Sequence, residues 1–104
     1  MKTVVLAAAW ALAALPHLAQ AQDAHLARNL AATCANCHGT NGHAVKGSGM
    51  DALAGMEKAK TLQKLADFKS GDKPASIMHQ IAKGYTDDQI SRLADYFAPM
   101  KIAK

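Results

Sequence analysis

From residue 24 onward the apolar positions recur every three or four residues and never alternate, which is the period of helices and not of strands. Asp23 suits the N-cap of a first helix over residues 24–33, with Leu26 and Leu30 one turn apart. The stretch "GTNGHAVKGSG" is rich in Gly, Ser and Asn and reads as loop; "MDALAG" follows and ends at Gly55. Glu57 to Ser70 is a second helix, on which Leu62, Leu65 and Ala66 share a face and Phe68 lies close to it. Gly71 is placed to end that helix in the left-handed conformation. Pro74 fits the first turn of a short third helix, Ala75 to Lys83, which Gly84 stops. The last helix carries the fullest set of signals. Thr86 caps it, Gln89 completes a capping box, and Asp87 and Asp88 favour its positive end. Ile90, Leu93, Ala94 and Phe97 then follow at i, i+3, i+4 and i+7, and Pro99 closes it. The predicted fold class is all-α, four short helices without a repeat or an internal linker.

The first 21 residues obey another pattern. Lys2 gives a short positive start, Thr3 to Leu15 is almost unbroken Ala, Val, Leu and Trp, and Pro16 breaks the run. Ala19-Gln20-Ala21 has the small-x-small form that signal peptidase reads. The apolar run is shorter than the about 20 residues a membrane-spanning helix needs. Residues 1–21 therefore read as a secretory signal peptide and residues 22–104 as one small domain, exported to the periplasm, with no membrane span in the mature chain. Cleavage removes one basic side chain from a formal net charge of +4 and takes away Trp10, the sole tryptophan. Phe68, Tyr85, Tyr96 and Phe97 remain, a thin core that a large apolar cofactor would fill. The lysines are scattered among acids, so no basic stripe for nucleic acid is present.

Chemistry concentrates in "TCANCHGT", where Cys34, Cys37 and His38 stand together. A zinc site usually takes four ligands from two separated pairs, and the chain has only two cysteines, so His25, His43 or His79 would have to complete it at irregular spacings. A redox dithiol needs a strand-turn-helix setting, and no strand is visible. A disulfide across so tight a loop would restrict little of the unfolded chain. Covalent haem attachment uses all three residues: two thiols add to the two vinyl groups of the porphyrin, and the adjacent histidine becomes an axial ligand of the iron.

A helix leading into "CANCH", a Gly-rich loop, "LAG", "FKSG" and a closing helix ending "LADYFA" together resemble a class I c-type cytochrome over nearly all of the mature chain. Residues 68–98, "FKSGDKPASIMHQIAKGYTDDQISRLADYFA", resemble the cytochrome subunit of flavocytochrome c sulfide dehydrogenases. The resemblance implies the class I cytochrome c fold around one covalent haem c, held by Cys34 and Cys37, with His38 as proximal ligand. It also selects the sixth ligand. Met50, Met56, Met78 and Met100 are available, and Met78 stands where the resembling families carry their distal methionine. Neighbouring His79 is a surface or capping residue on this reading, and His25 and His43 are structural or exposed; His43 is also near enough in sequence to reach a haem propionate. Tyr96 and Phe97 are expected to pack on the first helix and the haem edge, and Tyr85 to pack or to bind a propionate.

The implied function is electron transfer, not catalysis. The electrons would come from an FAD-carrying flavoprotein partner in sulfide oxidation; the alternative is a free periplasmic shuttle to a downstream cytochrome, oxidase or peroxidase. A permanent partner implies an apolar patch around the haem edge. A shuttle implies a lysine ring, for which Lys46, Lys58, Lys60, Lys69, Lys73 and Lys83 are candidates. A haem enzyme or gas sensor would instead leave the sixth position open. The chain departs from the related cytochromes twice: Asp51 replaces a proline whose carbonyl accepts from the proximal histidine, and Lys60 replaces an aromatic of the haem wall. A backbone carbonyl survives at Asp51, on a less restricted loop and beside a carboxylate that favours oxidised iron. Asp51→Pro should therefore raise the midpoint potential measured by redox titration, and an unchanged potential would count against this role for Asp51.

Overall fold

The computed structural model describes residues 25–102; the signal-peptide reading of residues 1–21 and the cap at Asp23 lie outside them. Among the described residues there are helices and no strands. They are α1 (25–32), α2 (Ala35–His38), α3 (Lys58–Ser70), α4 (Met78–Lys83) and α5 (Asp87–Phe97), with a 3-10 turn at Thr40–Gly42. The all-α prediction holds with one element added. The cysteine motif follows α1 and winds a turn of its own, closed by bonds from His38 N–H to Cys34 O (2.9 Å) and from Gly39 N–H to Ala35 O (3.1 Å).

α5 forms as its sequence demands. Gln89 N–H donates to Thr86 Oγ1 (3.2 Å), Thr86 N–H donates to Gln89 Oε1 (2.9 Å), and Ile90, Leu93, Ala94 and Phe97 are all buried. α3 starts one residue after Glu57 and ends at Gly71, whose φ of +89° lets its N–H reach the carbonyls of Asp67 and Phe68. α4 differs from the prediction. It begins at Met78, not Ala75, because its N-cap Ile77 sits at φ −141°, outside the helical region. Ser76 and Ile77 instead line the large cavity beside α4, so tertiary placement overrides the local signal of Pro74.

α3 faces two ways. Thr61, Lys64, Leu65 and Phe68, spaced i, i+3, i+4 and i+7, line the large cavity. Leu62 and Ala66 turn to α5 and, with Ile90, line a shallower depression of ≈ 440 Å³. The single apolar face predicted for Leu62, Leu65 and Ala66 is thus divided, since the helix packs on α5 with one stripe and borders a cavity with the other. The core cluster is Ala31, Leu93 and Phe97, packed by Leu30, Leu53, Tyr96 and Met100. Leu30 joins it while Leu26 remains exposed. Tyr96 and Phe97 meet edge to face at 5.2 Å.

The loop before α3 is pinned at Gly42, whose carbonyl accepts from Leu53 N–H (2.8 Å) and Ala54 N–H (3.1 Å). Its φ is +75°, and a Cβ there would stand 2.8 Å from Leu53 Cβ and 3.0 Å from Phe97 Cδ1. At Gly71 a Cβ would meet nothing within 4 Å. Gly71→Ala should therefore cost about 1 kcal/mol, for the left-handed backbone alone. Gly42→Ala should cost about 1–3 kcal/mol more, for overpacking. Denaturant unfolding of the two variants measures the difference, and equal losses would contradict the close approach.

Candidate functional site

The single turn of α2 brings Cys34, Cys37 and His38 into the wall of a cavity of ≈ 710 Å³. That volume falls within the about 300–1,000 Å³ of cofactor sites. Both thiols are free. Burial pushes the Cys34 thiol up, opposed by hydrogen bonds from Thr33 and the backbone. His38 Nδ1 lies 2.6 Å from the carbonyl oxygen of Asp51. A carbonyl only accepts, so Nδ1–H is the donor and Nε2 keeps its lone pair for a metal. The contact foreseen at Asp51 is therefore present without proline.

Met78, at the start of α4, lines the same cavity. So do Met50 and Met56, while Met100 packs on the core as filler. Met50 is 47% exposed in a loop, whereas Met78 belongs to a helix. The walls are mostly apolar, with Leu30 from α1, Leu65 and Phe68 from α3, and Leu93 and Phe97 from α5. Tyr85 also lines the cavity, and its hydroxyl shares a 2.7 Å hydrogen bond with Thr33 Oγ1. Lys60 is exposed and outside the lining, so it supplies no wall in place of an aromatic. His25 is exposed, His43 follows the 3-10 turn, and His79 lies outside the lining, its buried Nδ1 without a partner among the described residues.

Thr61 and Lys64 are among the lining residues that sequence reasoning misses. Their spacing with Leu65 and Phe68 was readable, but a hydropathy pattern passes over polar residues on an inner stripe. Lys64 Nζ lies 2.6 Å from Asp51 Oδ2, joining α3 to the loop that holds His38. The hydrogen bond and charge of Lys64 hold the Asp51 carboxyl below its usual range. Removing that carboxylate would leave Lys64 unpaired, which acts on the potential in the same upward direction as the loss of the negative charge.

The donor set tests what the cavity suits. No group of three or more His, Cys, Asp and Glu able to hold a metal ion occurs among the described residues, so the zinc reading has no second half. No strand frames a redox dithiol. Two free thiols, an imidazole in a fixed tautomer and thioethers around an apolar cavity fit a flat apolar macrocycle carrying its own metal.

The cytochrome c family profile matches residues 24–101, and the chain belongs to that family. Its cofactor is accordingly covalent haem c, and the family's role is electron transfer. It is 37% identical over 68 residues to the cytochrome subunit of sulfide dehydrogenase from Chlorobaculum tepidum, covering 65% of this chain and 60% of that one. It is 33% identical over 64 residues to a thiosulfate dehydrogenase electron acceptor of Stutzerimonas stutzeri, covering 62% of this chain and 30% of that one. It is 32% identical over 76 residues to cytochrome c-553 of Nitratidesulfovibrio vulgaris, covering 65% of this chain and 70% of that one. The first two matches thus span less than two thirds of those relatives. Among the described residues no helix is long and apolar enough to cross a membrane.

The Asp51–Lys64 pair has a defined pH signature. A carboxyl whose pKa is lowered by folding contributes stability above its unfolded pKa, and that contribution is lost as pH falls through the folded one. Asp51→Asn keeps the backbone carbonyl and should cost no more than about 1 kcal/mol at pH 7, since the pair is exposed. The difference from the parent should start to shrink below about pH 4, near the ordinary Asp pKa, and disappear once Asp51 is protonated. Chemical denaturation across pH measures it, and a constant difference would exclude the ion pair as its cause.

Proposed function

We propose that this protein is a periplasmic electron carrier in which Cys34 and Cys37 bind haem c through thioethers and His38 and Met78 ligate its iron. Its electron donor, on this reading, is an FAD-carrying flavoprotein of sulfide oxidation. The observation that carries the ligand assignment is that α2 and α4 bring all four residues to one apolar cavity. When bound, the haem supplies a one-electron carrier whose iron alternates between ferric and ferrous states. The chain supplies the rest. His38 presents Nε2 because Nδ1–H is committed to Asp51. Met78 offers a thioether, which favours the reduced state and raises the potential. Leu65, Phe68, Leu93 and Phe97 exclude water around them. The signal-peptide pattern of residues 1–21 supports export, with residues 22–104 as the mature domain.

The flavoprotein partner is supported by the similarity to the sulfide dehydrogenase subunit and by the rim of the cavity. Met50, Ile77 and Ile81 line the cavity and are 47%, 54% and 38% exposed, an apolar edge suited to a close-fitting partner. The lysines give a ring less support. Lys58 is tied to Asp95 and Lys69 to Asp87, Lys73 lies over the Phe68 ring, and the one lysine in the lining, Lys64, is paired with Asp51. The match over 70% of a cytochrome c-553 favours the second reading, a free shuttle to a downstream cytochrome, oxidase or peroxidase.

Mass spectrometry under denaturing conditions should find one haem retained by the parent and lost from the Cys34→Ser, Cys37→Ser double variant. Met78→Ala should abolish the far-red charge-transfer band of thioether-ligated ferric haem, while Met50→Ala and Met56→Ala keep it. A haem that washes out, or a band that survives in Met78→Ala, would refute the corresponding assignment. Protein purified at low salt from its own host should carry flavin and be reduced by sulfide; haem alone, inert to sulfide, would favour the free shuttle.

A further inference from the structure

Among the described residues Thr61 is the only polar side chain that is buried, at 6% exposure. It lines the large cavity, and its Oγ1 has no hydrogen-bond partner. The usual outlet for a helical threonine is the carbonyl four residues back. Here the backbone N–H of Thr61 takes that carbonyl, Glu57 O, at 3.0 Å, and the hydroxyl does not share it. A hydroxyl withdrawn from water and left unpaired destabilises a fold, so its place in the cavity wall points to an acceptor that occupies the cavity.

The rest of the wall indicates which acceptor. The inner stripe of α3 is graded. Thr61 stands in its first turn and Phe68 in its last, with Lys64 and Leu65 side by side at the middle. The charge of Lys64 is already taken by Asp51, so an occupant matched to that stripe presents a hydrogen-bond acceptor to Thr61 at one edge and apolar surface at the other. Haem has this asymmetry, with its two carboxylate arms on one edge of the macrocycle.

We propose that Thr61 is a positioning residue whose Oγ1–H donates to a haem carboxylate and sets that edge against the N-terminal half of α3. The assignment rests on the haem reading above. It has an electronic consequence. A donor on the carboxylate draws off part of the negative charge that stabilises ferric iron, so Thr61 raises the midpoint potential.

Thr61→Val keeps the shape and removes the donor; Thr61→Ser keeps the donor. With haem retained in both, redox titration should show a lower midpoint in Thr61→Val and recovery toward the parent value in Thr61→Ser. In the parent protein, reduced and therefore diamagnetic, proton NMR should show a slowly exchanging Thr61 hydroxyl in contact with the methylene protons of a carboxylate arm. An unchanged midpoint in haem-loaded Thr61→Val would overturn the proposal. So would a Thr61 hydroxyl that contacts only a methionine methyl group or a trapped water. If Thr61→Val takes up no haem, the NMR contact in the parent decides alone. A parent without covalent haem, read by mass, removes the haem reading and this inference together, whereas intact haem with no Thr61 effect removes only the inference.

Discussion

The hydrogen bond from His38 Nδ1–H to the Asp51 carbonyl, 2.6 Å long, joins the two parts of the chain on which the site depends. It fixes the tautomer of the imidazole and holds the loop that follows the cysteine motif against α2. The two partners are thirteen positions apart, and the segment between them contains the 3-10 turn and the glycine-rich stretch. The Gly42 contacts with Leu53 and Ala54 close the same loop from its other side. The Asp51 side chain extends the connection to Lys64 on α3. One residue thus relates His38 to the long helix through its backbone and its side chain at once.

The packing explains why so small a chain suits a large prosthetic group. The protein's own core is a short row of Ala31, Leu93 and Phe97 with partly buried neighbours. Its apolar residues surround a cavity more than they fill one another's gaps, and helices α1, α2, α3, α4 and α5 all contribute to the wall. A covalent group at that position would act as core and as functional centre.

Local signals were legible in the sequence and cavity-directed ones were not. α5 could be read to the residue because its cap, charges and apolar stripe lie within a dozen positions and need no other element. Gly71 was legible for the same reason. The start of α4 was not, since Pro74 announces a helix locally while Ser76 and Ile77 are placed by the cavity they line. Cys34, Cys37 and His38 were legible because their spacing carries the chemistry itself. Which methionine would serve as a ligand was not legible from spacing, because the fold brings Met50, Met56 and Met78 alike to the cavity; only the family resemblance ranks Met78 first. Thr61 and Lys64 were missed because polar residues facing an internal surface leave no mark in a pattern that counts only apolar positions.

The most direct test of the central claim is the methyl spectrum of the reduced holoprotein labelled with carbon-13 at its methionine methyl groups. Bound beneath a porphyrin, a ligand methyl is displaced far upfield by the ring current. One such resonance is expected, lost on substitution of Met78 and of no other methionine. A displaced resonance that belongs to Met50 or Met56, or none at all, would contradict the assignment of His38 and Met78 as the axial pair.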